Sequence, residues 1–199
     1  MTQSMLTLPV SGRDHTLGPA NAPATLLEYG DYECPHCGAA YPVVEALRER
    51  LGDRLRFAYR HFPLSQIHPH AELDAEAAEA AGAQGKFWDM HHALFTHQDA
   101  LDGAHLMRYA AAIGLDMGAF QRDLETQAYA GRVREDFMSG VRSGVNGTPT
   151  FFINGARYEG SHDFATMLEV LNTVVEAAVV EAAVVEAAVA EASRREAVR

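Results

Sequence analysis

Between Ala24 and Phe62 the hydrophobic period changes twice, and that double change restricts the fold more than any other feature of the chain. Residues 24–29, ATLLEY, form a short and mostly apolar run bounded by Asn21-Ala22-Pro23 and Gly30-Asp31, which predicts a strand buried on both faces. Past Cys34, apolar residues recur at Ala40, Val44, Leu47 and Leu51, the spacing of one helical face, and Gly52 follows as a stop. Residues 55–62, LRFAYRHF, alternate Leu55, Phe57 and Tyr59 against Arg56, Ala58 and Arg60 and end at Pro63, a second strand. Strand, helix and strand in that order predict a β-α-β unit with parallel strands and a right-handed crossover.

From about Pro69 to Ser143 the pattern is helical, with breaks near Gly82 to Gly85, Leu101 to Gly103 and Gly114 to Asp116. The last of these helices carries Tyr129, Val133, Phe137 and Val141 at steps of four. TFFI at 150–153, Asn154-Gly155, and Ala156 to Tyr158 read as a hairpin, since Asn-Gly suits the positive φ of a tight turn. A final helix is expected to start near Ser161 to Asp163, with one of those two residues as its N-cap. The fold class is therefore α/β, and 199 residues at 48% apolar composition suffice for one domain or one domain with an insertion.

A net charge of −11 argues against a nucleic-acid partner, because binders of a phosphate backbone concentrate Lys and Arg. The N-terminus, MTQSMLTLPVSGRDH, lacks a basic region followed by an unbroken apolar one, which places the chain as written in the cytoplasm. No window of 18 residues is free of charge, so no membrane span is expected. Val174 to Ala192 repeats VVEAA, with Glu176, Glu181, Glu186 and Glu191 about 140° apart on a helix, which leaves no clean apolar stripe. Two readings stand: a low-complexity helical extension, or a segment for self-association through its valines.

The only two cysteines, Cys34 and Cys37, lie in GDYECPHCG at the strand-to-helix junction. Structural zinc wants four ligands, and although His68, His70, His91 and His92 could supply two, nothing near Cys37 repeats a ligand spacing, so no metal is expected. Two inert core thiols would lie on an apolar face rather than in a turn. A structural disulfide closing so small a loop constrains the unfolded chain little. Redox chemistry remains. At a first helical turn, free N–H groups and the macrodipole favour the Cys34 thiolate, and Pro35 fits the first helical position because it has no N–H to lose. Residues three apart share a face at about 5 to 6 Å between Cβ atoms, so a small adjustment makes or breaks the bond.

His36 lies between the two sulfurs, where it can donate a hydrogen bond or positive charge to a thiolate or be a plain surface histidine. Glu33 would raise the Cys34 pKa if it faced the sulfur. Glu28 is an acid within an apolar strand, six positions before Cys34; buried there it suits a proton acceptor for Cys37, and at the strand's wet end it would do nothing. Thr148-Pro149 precedes the hairpin, where proline removes a ladder donor and marks a turn.

CPHC after a strand, an acid six residues upstream, a long helical insertion and Thr-Pro before the last hairpin together resemble the DsbA family of thiol-disulfide oxidoreductases. DHTLGPANAPATLLEYGDYECPHC also resembles the DsbA-like domains found in bacteria alone or fused to sodium/proton antiporters. The resemblance covers roughly residues 5–172. It implies a thioredoxin fold made of residues 1–66 and 144–173, a helical insertion over 67–143, and a tail over 174–199. It implies Cys34 as exposed nucleophile, Cys37 as buried resolving thiol, His36 as tuner of the potential, Glu28 as the buried acid and Pro149 as a cis-proline facing the pair. The backbone of Thr148, where DsbA proper has valine, would pair with an extended substrate segment.

The partners expected are thiol- or disulfide-containing proteins or peptides and a further redox partner, with no cofactor beyond the Cys34-Cys37 disulfide. A potential near −120 mV would lie about 160 mV above a cytosolic pool near −280 mV, about 7 kcal/mol towards the dithiol. An oxidant in that compartment would be almost wholly reduced, which leaves three alternatives: a potential lower than CPHC suggests, a reductant or isomerase, or an exported protein. The alternatives to catalysis on protein disulfides are a non-catalytic redox sensor or binding module with the disulfide as switch, and a glutathione-using isomerase, which would not need Cys37.

Overall fold

The protein is described here by a computed structural model covering residues 4–196, with side chains through residue 186. The ends of the expected first and last segments, residues 1–3 and 197–199, lie outside the described residues. The elements in chain order are β1 His15–Leu17, β2 Ala24–Gly30, α1 Pro35–Leu51, β3 Leu55–His61, α2 Ala71–Ala83, α3 Phe87–Thr96, α4 Gly103–Ala112, α5 Met117–Glu125, α6 Ala130–Arg142, β4 Thr150–Ile153, β5 Ala156–Arg157 and α7 Phe164–Glu196. They make a thioredoxin fold with the helices α2 to α6 inserted between β3 and β4.

The strands form one sheet in the order β1-β3-β2-β4-β5. β2 and β3 run parallel with Glu28 opposite Tyr59 and Gly30 opposite His61, and β2 pairs antiparallel with β4 with Glu28 opposite Phe151. β2 is thus the central strand, and the turn that leaves its C-terminal end carries the cysteines. Asn154 at φ 47° and Gly155 at φ 83° make the hairpin turn that Asn-Gly predicts. β1, antiparallel to β3, is a strand the sequence pattern does not announce, being only three residues long.

One face of the sheet packs against α1, α7 and the insertion, in a core that runs through Leu26, Phe57, Val44, Leu47, Met90 and Leu171. The other face is smaller and holds Leu27, Tyr29, Ala58, Phe62 and Phe152. β3 is buried on both faces, so the alternation of Arg56, Ala58 and Arg60 does not mark a wet side: Ala58 and Arg60 are both fully buried.

The stripe expected on α6 is rotated. Val133 is buried and Phe137 stacks on Phe62 at 4.4 Å, but Val141 is 45% exposed, and Asp136, Ser139 and Gly140 face inward instead. The rotation follows from Phe62, whose ring occupies the space a Cβ on Gly140 would need, and from Ser139, whose hydroxyl meets Tyr29 Oη at 2.8 Å. A further break, with Gln127 at φ 51°, separates α5 from α6. At α7 the Asp163 carboxylate accepts from Thr166 N–H at 3.0 Å, and the helix runs unbroken into the VVEAA repeat. Among the described residues Val175 is the last buried apolar side chain, and Val179, Val180, Val184 and Val185 are 56–64% exposed. Among the described residues no helix is long and apolar enough to cross a membrane.

Candidate active site

The turn between β2 and α1 is held by its own acids. Asp31, 2% exposed, accepts from Glu33 N–H at 2.9 Å and Leu64 N–H at 2.9 Å and pairs with His68 Nδ1 at 2.8 Å. Glu33 accepts from His70 N–H at 2.7 Å and pairs with His70 Nδ1 at 3.1 Å, so it is turned to the loop after β3 by those two bonds. His91 Nδ1 meets Tyr32 Oη at 3.0 Å and His92 Nδ1 meets Tyr41 Oη at 2.7 Å. Each histidine considered as a zinc ligand thus has another partner.

Cys34 is the N-cap of α1, with Pro35 at the first helical positions as the sequence predicts. Both cysteines are free thiols. Cys37 is fully buried. Cys34 is not the exposed nucleophile that the resemblance implies: it is only 3% exposed, because the Thr148-Pro149 turn lies over it and its thiol donates to Thr148 O at 3.5 Å. That peptide bond is cis. Pro35 and His36 are what this turn shows to solvent.

The Cys34 thiol is held down to about 5. The largest cause is a hydrogen bond from the Cys37 thiol; burial opposes it, and the backbone N–H groups of Cys37 and His36 add to it. The helix terminus therefore contributes, but the partner thiol contributes more. His36 acts through its backbone N–H, with its ring in solvent. Cys37 is pushed up by burial, by its bond to Cys34 and by the charges of Glu28 and Cys34. The two sulfurs are thus driven apart, Cys34 towards the thiolate and Cys37 towards the thiol.

Glu28 lies in the core, 2% exposed, and not at a wet strand end. Burial first, and the Cys34 charge second, push its carboxyl up to about 8, and its Oε1 has no hydrogen-bond partner. A carboxyl that titrates near neutrality beside a buried thiol can take that thiol's proton.

Two neighbours were not legible as site residues. Gln98, in the loop between α3 and α4, donates through Nε2 to Tyr32 O at 2.7 Å and Cys34 O at 2.9 Å. A Cβ on Gly38 would run into its side-chain oxygen, so a glycine directly after Cys37 is the one sequence sign of this close approach. Asp74 of α2 is fully buried with both oxygens unpartnered, and burial, then the charges of Glu33 and Asp31, push it up to about 9.

Away from the cysteines, His61, Glu79 and Asp136 bring possible metal-ligand atoms within 4.8 Å of one another. Arg132 reaches Glu79 and Asp136 at 3.4 Å each, and Arg13 reaches Asp136 at 3.1 Å. Two guanidinium groups already offset the two carboxylates there, so the charge a metal would supply is present.

Comparison with known proteins places this geometry. The family described as Thioredoxin matches residues 10–173. A Na(+)/H(+) antiporter NhaA 3 of Salinispora tropica is 46% identical over 176 residues, covering 87% of this chain and 26% of the relative, so the chain spans about a quarter of the length of such relatives. A thioredoxin-like oxidoreductase from Silicibacter pomeroyi has a similar structure, at TM-score 0.74 and 26% identity over 83% of this chain and 94% of that one. Oxidised BdbD from Bacillus subtilis superimposes at TM-score 0.76 and 21% identity, over 88% of this chain and all of that one, a likeness of fold.

Proposed function

The chain belongs to the thioredoxin family, and on that premise we propose that it is a thiol-disulfide oxidoreductase acting on protein or peptide disulfides through Cys34 and Cys37. The observation that carries the reading is the asymmetry of the pair: Cys34 held down to about 5 at the mouth of α1, Cys37 sealed and pushed up beneath it. Cys34 attacks as thiolate, the substrate S–S bond breaks, one substrate sulfur leaves as a thiolate and the other stays joined to Cys34 as a mixed disulfide. Cys37 then attacks Cys34, the bond to substrate breaks, and substrate leaves as a thiolate two electrons richer. In the opposite direction the Cys34-Cys37 disulfide oxidises a substrate dithiol by the same two steps.

A stabilised thiolate favours the reduced form, which makes the disulfide the more oxidising partner. We assign the oxidising direction on that ground, which calls for a compartment whose thiol pool is not strongly reducing. When Cys34 loses its proton it no longer donates to Thr148 O, and that carbonyl becomes free for the backbone N–H of an extended substrate segment. Pro149 holds the carbonyl there.

The test is a pair of variants in insulin-disulfide reduction. Cys34→Ser abolishes turnover, and Cys37→Ser accumulates mixed disulfides resolved on non-reducing gels; full activity in both refutes the mechanism. The valines of α7 that are exposed among the described residues, Val179, Val180, Val184 and Val185, favour a second reading, a redox sensor that assembles through its tail. It calls for little turnover and a change of elution volume between oxidised and reduced protein.

A further inference from the structure

Each catalytic cycle moves a proton between Cys37 and solvent, yet Cys37 is fully buried and Glu28 is 2% exposed. Glu28 can hold the proton but cannot deliver it to water. The sheet face above it shows a way out. On that face, among the described residues, three buried polar atoms have no hydrogen-bond partner: Glu28 Oε1, Tyr59 Oη and His61 Nδ1. Glu28 stands opposite Tyr59 in the β2-β3 register, and His61 follows Tyr59 on the same face of β3, with the two rings edge-on and centroids 5.6 Å apart. The Tyr59 hydroxyl lies over Gly30, where a Cβ would come within 2.7 Å of it. It is therefore carried forward along the strand, from Glu28 towards His61.

Beyond His61 the line is hydrogen-bonded. His61 Nε2 meets Glu79 Oε1 at 3.0 Å, and Glu79 Oε2 meets His15 Nε2 at 3.0 Å, with the His15 side chain 23% exposed. Glu79 stays an anion: despite its burial, His15 and His61 hold its carboxyl far below the ordinary range. An anion on Nε2 fixes the ring proton there and leaves Nδ1 as a bare acceptor facing inward. Leaving buried polar atoms unpartnered destabilises a fold, so three on one sheet face call for an explanation other than stability.

We propose that Tyr59, His61, Glu79 and His15 form the proton relay that connects the Glu28-Cys37 pair to solvent. This rests on the two-step thiol mechanism above. As Cys37 attacks the mixed disulfide, the Cys34-Cys37 bond forms, the substrate thiolate leaves with the electron pair, and the Cys37 proton passes to a Glu28 oxygen. Glu28 Oε1, Tyr59 Oη and His61 Nδ1 make no hydrogen bond to one another at rest, so the transfer runs through side-chain rotation: Glu28 gives the proton to the Tyr59 hydroxyl, which accepts one proton and releases another, to His61 Nδ1. The imidazolium is held by Glu79 next to His15, where exchange with water completes the transfer. The other titratable groups around this line are Asp31, Tyr32, Cys34, His91, Arg132 and Asp136. Tyr59 and His61 act through Glu28 and are positioning residues.

The variant that separates a relay from a structural role is Tyr59→Phe. Its hydroxyl makes no bond in the fold, so packing alone predicts unchanged or raised stability and an unchanged rate. The relay predicts that resolution, followed by stopped flow in a single turnover with a disulfide peptide, slows about ten- to hundred-fold at pH 6 to 7. The slowing fades above pH 8, where Glu28 is already ionised and needs no outlet. First attack, measured in the Cys37→Ser background, does not change. His61→Gln, which can still donate to Glu79 but offers no basic nitrogen, shows the same profile. Wild-type resolution in Tyr59→Phe at every pH overturns the relay, as does slowing that is equal at every pH and accompanied by a lower melting temperature. Failure of Cys37→Ser to form any mixed disulfide overturns both the relay and the mechanism on which it rests.

Discussion

Neighbouring residues of β2 and β3 bury polar groups on opposite faces of the sheet and treat them in opposite ways. On one face Arg60 is fully buried and every guanidinium N–H is spent: on Asp14 at 2.7 and 3.1 Å, Leu8 O at 2.8 Å, Pro9 O at 3.2 Å and Tyr29 Oη at 2.9 Å. On the other face Glu28, Tyr59 and His61 each keep an atom without a partner. Both faces exclude water, so solvation does not explain the contrast. A satisfied buried ion holds a chain segment in place; an unsatisfied one is costly and persists where it is used. The Arg60 face clasps residues 8–14 to the sheet, and the Glu28 face carries protons.

The contrast breaks most visibly at Arg60. Against its burial, the Arg60 guanidinium and Ser11 N–H keep the Asp14 carboxyl below its ordinary range. Arg60→Leu leaves that charge buried without its cation and is expected to cost about 3 to 5 kcal/mol, read as a lower urea midpoint at pH 7. A loss under about 1 kcal/mol would mean that this face is no clasp.

Glu28→Gln acts with the opposite sign. The folded carboxyl titrates near 8 against 4.5 for the exposed group, so the native state keeps its proton longer than the unfolded one. Stability is whole below about pH 4.5 and is lost as pH rises through 8. The amide removes that loss: the variant gains on the order of 3 kcal/mol over wild type at pH 8 and little at pH 4.5. Oxidised protein is the form to measure, since Cys34 no longer titrates there and burial, the larger cause, remains. The same variant slows resolution, so it is expected to be more stable and less active. A pH-independent difference would place Glu28 outside the titrating core.

These two faces also show how far sequence reasoning reaches. The alternation at 55–60 was misleading because strand β3 is covered on both sides, and Arg60 reads as a solvent residue until Asp14, 46 positions away, is seen beside it. Cys34, Cys37, Pro35 and Pro149 were legible because their chemistry is local: a cap, a first turn, an imide. The depth of Cys34 was not, since it depends on Thr148, 114 residues on. Glu28 was legible as an anomaly in an apolar run. Tyr59 and His61 were not, because tyrosine and histidine in a strand look ordinary, and only three-dimensional neighbours reveal that no partner was supplied.

Gln98 sharpens the comparison, being a polar side chain with its donors satisfied that nonetheless serves the site. Its amide joins the insertion to the carbonyls of Tyr32 and Cys34, and the Cys34 carbonyl also accepts from Gly38 N–H at 3.1 Å in the first turn of α1. Gln98→Ala removes two hydrogen bonds to that turn and is expected to cost about 1 kcal/mol in the reduced protein. Because the turn aims the N–H groups of His36 and Cys37 at the sulfur, the Cys34 titration, followed by thiolate absorbance, should move up by no more than about one pH unit. Gly38→Ala drives the same amide out from the other side, so the double variant should shift the titration no further than either single one. Additive shifts would show that Gln98 and Gly38 reach the thiolate separately, and an unmoved titration would return Gln98 to the class that Arg60 represents.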